Sequence, residues 1–118
     1  MSNSPDPAGN EFANISREDM MSALFGNLIL QQTNMAMMLL GRMPHPETGE
    51  LVKDSESARI FIDLLEMLEL KTKGNRDKQE DDLLQQSLMA VRMAFVEEID
   101  REEASQLGAP QPATPPAP

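Results

Sequence analysis

MMSALFGNLILQQTNMAMMLLG, residues 20–41, is an uncharged run in a chain whose formal net charge is −10. Its spacing is helical. Met21, Leu24, Leu28, Met35, Met38 and Leu39 recur three and four residues apart, and Phe25, Ile29, Ala36 and Leu40 form a second row beside them. Two apolar rows exceed the single stripe that a surface helix buries, so this helix is expected to meet neighbours on two sides. Ser16 followed by Asp19 matches a capping box, and Glu18 and Asp19 sit where the positive end of the helix dipole favours acids. Gly41, Pro44 and Pro46 stop the helix.

The same run is long enough to span a bilayer. Gln31, Gln32, Thr33 and Asn34 stand together at its middle, however, where amides cost most in hydrocarbon, and no Trp or Tyr anchors its ends. A buried helix of a soluble protein is expected instead.

The 118 residues suit one domain with tails. With no Trp, no Tyr and only four Phe, the core must be filled by aliphatic side chains and by the ten Met, which pack adaptably. Cysteine is absent, which removes disulfides, thiolate metal sites and cysteine nucleophiles and suits a cytoplasmic location. No basic-then-apolar pair opens the chain, so a secretory signal is not expected. The acidic balance repels nucleic acid and anionic membranes, and no aromatic-plus-basic platform offsets it. It is best understood as a solubility device.

Residues 42–53, RMPHPETGELVK, form a connector that its prolines hold extended and that turns at Thr48-Gly49. Here lies His45, the only histidine. With Glu47 and Glu50 alone beside it, it falls far below a metal signature. Asp54 or Ser55 caps a second helix, in which Ala58, Phe61, Leu65 and Leu68 form one row that Ile60, Ile62 and Leu64 widen. Asp63, Glu66 and Glu69 are expected on a solvated face, with Arg59 pairing Asp63 one turn away. Gly74 suits the left-handed position that ends a helix, and Asp77 with Glu80 caps a third. Leu84, Leu88, Val91 and Phe95 are its seam, and Arg92 is expected to pair with an acid on a neighbouring helix. Residues 97–103 are dense in acids that oppose the dipole at a C-terminus, so fraying is expected there. The fold expected is all-α, a three-helix antiparallel bundle spanning residues 16–104 and completed by self-association. Its helices cover about 17–41, 55–73 and 78–103, between disordered tails at 1–15 and 105–118.

Three helices of this size bury a modest share of their surface, and one side of the first would stay exposed in a monomer. A two-fold homodimer is therefore expected, joined through Leu24, Leu28, Gln31, Gln32, Asn34, Met35, Met38 and Leu39. Its central amides would pair with their symmetry mates and fix the register. The alternative is a nucleic-acid or ribosome-associated factor acting through a basic spot, with Lys71, Lys73, Arg76 and Lys78 as anion contacts. Capping already accounts for the lysines, and the net charge weighs against that use. Enzymatic function is not expected, because no nucleophile and base can be placed on one face, and no cofactor is implied. A self-associating interaction module with a possible protein partner is the first choice.

FGNLILQQTNMAMMLLGRMPHPETGE, SARIFIDLLEMLELKTKGN and LLQQSLMAVRMAFVEE together resemble a small bacterial family known only as a domain of unknown function. The resemblance covers residues 25–98. It implies a cytoplasmic, bacterial, all-helical module and brings no activity with it.

Overall fold

The computed structural model describes residues 16–107, which form three helices and no strand. They are α1 (Arg17–Leu39), α2 (Ser55–Lys71) and α3 (Lys78–Gln106). Of the tails expected at residues 1–15 and 105–118, only residues 105–107 are described, and there the third helix continues through Gln106.

Each helix begins on a side-chain cap. Ser16 Oγ accepts from the Asp19 amide at 2.9 Å, and Asp54 accepts from the Ser57 amide at 3.1 Å. At α3 the box is complete: Asp77 accepts from the Glu80 amide while the Glu80 carboxylate accepts from the Asp77 amide. These bonds satisfy N–H groups that have no partner inside the helix. α1 ends in a Schellman arrangement, the Arg42 amide reaching the Met37 carbonyl at 2.9 Å and the Gly41 amide reaching Met38 at 3.0 Å. Gly41 takes φ +76°, and a Cβ there would stand 3.0 Å from Lys53 Cγ. The left-handed φ favours glycine, and any Cβ would also displace the Lys53 side chain. Relative to the sequence expectation, α1 and α2 each stop two residues early, where these caps close them, whereas α3 continues to Gln106.

The Asp54 amide donates to the Leu39 carbonyl at 2.7 Å, and Leu40 bridges Lys53, so the connector folds back and starts α2 beside the end of α1. Ser22 of α1 reaches Asp77 at the start of α3, while Arg42 pairs with Glu97 and Ser55 bonds Glu102 at the other end. α1 and α3 therefore run in the same direction, with α2 antiparallel to both.

Ile29, Ala36, Ile62, Leu65, Leu84, Leu88 and Val91 form the core between the three helices, and Phe25, Phe61, Leu68, Leu83 and Phe95 close around it. Leu40, Ala58 and Ala94 make a smaller cluster at the connector end. On α2 the buried row is Ala58, Ile62 and Leu65; Phe61 and Leu68 are half-buried, and Ile60 is exposed. Ala58 and Leu65 of the expected row are thus buried, Phe61 and Leu68 pack against the core at its edge, and of the residues expected to widen the row Ile62 is buried while Ile60 stays outside. Arg92 crosses to Glu66 at 3.2 Å and Glu69 at 3.8 Å, and Gln85 reaches Glu69 at 2.8 Å. Two of the three acids expected on a solvated face, while partly exposed, also tie α2 to α3.

The acid-dense end of α3 is helical through Gln106, where fraying was expected. Glu98 is only 2% exposed, because Arg101 donates to it at 2.7 Å and Lys53 of the connector stands 3.9 Å away. Two cations neutralise a carboxylate that would otherwise oppose both the dipole and the burial.

Candidate functional site

The two apolar rows of α1 have separate fates. The row of Phe25, Ile29, Ala36 and Leu40 enters the core. The other remains on the surface: Leu24 is 57% exposed, Met35 42% and Leu28 39%. Helix geometry explains the division, since Leu24, Leu28, Gln31, Met35 and Leu39 fall within a sector of about 80° at ~100° per residue. That sector is turned away from Ile29 and Ala36. Met38 and Leu39, at the connector end, are half-buried.

Where the stripe reaches the connector it becomes a groove of about 470 Å³. Gln31, Gln32, Asn34, Met35 and Met38 of α1 line it with Met43, Pro44 and Pro46 of the connector and Phe61 of α2. Its walls carry no charged side chain. The prolines hold their side by conformation, and hydrogen bonds fix the connector beyond them. The His45 amide donates to the Glu50 carbonyl and the Gly49 amide to the His45 carbonyl, each at 2.8 Å. His45 Nδ1 accepts from the Glu47 amide at 3.1 Å, which sets the ring within its own turn. Among the described residues no three His, Asp or Glu side chains converge as a metal ion requires.

The four amide and hydroxyl residues at the middle of α1 divide in the same way. Thr33 faces inward and donates to the Ile29 carbonyl at 2.7 Å. Gln31 and Asn34 are exposed. Gln32 is half-buried, and its Oε1 is buried with no hydrogen-bond partner. A buried carbonyl oxygen without a donor costs about 1–3 kcal/mol. Gln32 lines the groove, in the stretch of α1 assigned to self-association from sequence.

The basic spot is depleted by the fold. The Arg76 side chain is 11% exposed; its guanidinium holds Asp81 through Nε and Nη2 at 2.9 and 2.8 Å. Through Nη1 it donates to the Glu69 carbonyl at 2.8 Å and Thr72 Oγ1 at 3.0 Å. Arg76 therefore closes the C-terminus of α2 and is not presented to an anion. Lys78 pairs with Asp82 at 3.0 Å but stays exposed, as do Lys71 and Lys73. Sequence alone missed this clamp, whose partners lie at the end of one helix and the start of the next, and it missed the burial of Glu98, which is held by Arg101 one turn along the same helix and approached by Lys53 of the connector. No helix among the described residues is long and apolar enough to cross a membrane.

A family model matches residues 22–97 and is described as "Domain of unknown function (DUF1844)". The match runs from the first turns of α1 to the last turns of α3 and includes the stripe and the groove. No curated protein and no solved structure matches the chain.

Proposed function

Because the chain belongs to this family, whose description carries no activity, we propose from geometry that it is a non-enzymatic module that self-associates through the exposed stripe of α1. One observation carries the proposal. An uncharged helical face that includes Leu24, Leu28 and Met35 is left on the surface of a protein with a net charge of −10. Contiguous apolar surface of this kind marks an interaction site. A two-fold homodimer is the simplest closed assembly that covers it, since each copy presents the same face. The unpartnered Gln32 oxygen and the uncharged groove add to this, and the methionines give the face an adaptable lining. Cytoplasmic location is part of the proposal, in keeping with the absence of cysteine.

Light scattering of the full chain after size exclusion tests it, with refractive-index detection because the chain has neither Trp nor Tyr. Twice the chain mass is expected. Leu24→Glu should return the mass to that of one chain without loss of helical circular dichroism, since the side chain is outside the core. A monomer at all concentrations in the unaltered protein would end the proposal.

A further inference from the structure

Resting on that self-association, we propose that the second copy lies antiparallel across α1, about a two-fold axis between Gln31 and Gln32. Leu24 of each copy then enters the other's groove between α1, the Pro44 and Pro46 connector and Phe61. In this register Leu28 opposes Met35, Leu24 opposes Leu39, and Gln31 meets Gln32.

Three observations select this arrangement over a parallel one. The first is shape. The groove lies toward the C-terminal half of α1, and Leu24, the most exposed large apolar side chain of that helix, lies toward its N-terminal half. Antiparallel pairing brings projection to groove twice, whereas parallel pairing would set the two grooves mouth to mouth. The second is the unpartnered Gln32 Oε1. Gln31 of the second copy, exposed in the single chain, comes opposite Gln32 at the axis, where rotation of the Gln32 side chain out of its buried position gives this oxygen the N–H that it lacks.

The third is charge. Arg17 falls in the same sector of α1 as Leu24 and Leu28, and it has no ion-pair partner among the described residues. The carboxylates of Glu47 and Glu50 on the connector also have none there. Antiparallel pairing carries Arg17 of one copy to the connector of the other. Parallel pairing sets Arg17 against Arg17 and leaves the connector acids facing each other, which costs free energy.

The absence of native cysteine makes engineered thiols specific reporters. Leu28→Cys and Met35→Cys in one full-length chain lie about 10 Å apart along the helix, beyond disulfide reach, so any bridge formed must join two copies. Oxidation should convert most of the double variant to a covalent dimer and less than about a tenth of either single variant. Single variants that cross-link as well as the double would overturn the proposal in favour of parallel pairing. No cross-link in any variant, with the unaltered chain still dimeric by light scattering, would overturn it while leaving self-association standing through another face. A monomeric unaltered chain would overturn both.

A second readout leaves the stripe intact. Nitroxides on Glu18→Cys should be about 40 Å apart in the antiparallel dimer, at 1.5 Å of rise per residue, and under about 20 Å in a parallel one. A short distance would overturn the proposal.

Discussion

Arg76 shows how much one side chain contributes to this bundle. Its guanidinium serves a carboxylate on α3 and two oxygens at the end of α2, so it fixes the angle at which one helix leaves the other. Arg76→Ala would leave the Glu69 carbonyl and Thr72 without their donor and should lower stability by about 2 kcal/mol, read from urea denaturation. Arg76→Lys should recover less than half of the loss, because an ammonium cannot reproduce the planar fork. Glu98→Ala should cost about 1–2 kcal/mol. Arg101 and Lys53 are half exposed and regain water when the carboxylate goes, which keeps the penalty below that of a stranded buried charge. Asp54 contributes differently with pH. Hydrogen bonds from the Ser57 hydroxyl and amide hold its carboxyl below its ordinary value of 3.8. Its folded pKa is depressed, so its contribution is fully present above that value and is lost as pH falls through the folded pKa. The melting-temperature gap between the protein and Asp54→Ala should be constant near neutrality and narrow below pH 3.8.

At the scale of the element, α1 is a helix with two purposes divided around its circumference. One side holds Ile29 and Ala36 in the core, and the other displays Leu24, Leu28 and Met35. Gly41 ends it and turns the chain into the connector that forms the groove. Gly41→Ala forces a Cβ into a left-handed residue and against Lys53, and should cost about 1–2 kcal/mol, measured as a lowered thermal midpoint. The amides at the middle of the stripe carry a separate expectation. Gln31→Leu and Asn34→Leu should leave circular dichroism unchanged and yield mixed oligomer states by light scattering, because amides restrict which register two apolar faces adopt. One unchanged oligomeric state in both variants would remove that role from the amides.

For the whole molecule, association has to work against the net charge of −10 on each copy. Like-charged copies repel over a distance that salt shortens, with a Debye length of about 10 Å at 0.1 M. Dimerisation through an uncharged stripe should therefore strengthen as sodium chloride is raised from 20 to about 200 mM, measured by sedimentation equilibrium. The opposite trend would indicate an interface held chiefly by ion pairs. Of the basic spot, Arg76 is turned inward and Lys71, Lys73 and Lys78 remain on the surface.

The amino-acid sequence by itself determined the number of helices, their caps and the two rows of α1, because helical periodicity and capping are local and depend on residues three or four positions apart. It also placed Arg92 against an acid of another helix, for want of any other long-range role on that face. Only the tertiary structure decided which row of α1 is buried, since both are apolar and choice between them depends on where α2 and α3 lie. Tertiary structure likewise turned Arg76 from a surface cation into a clamp and drew Glu98 inside. The Arg76 clamp depends on oxygens of α2 and α3 brought together across a helix boundary, the burial of Glu98 adds Lys53 of the connector to its neighbour Arg101 on α3, and the groove beside Phe61 exists only once the connector has folded back on α1.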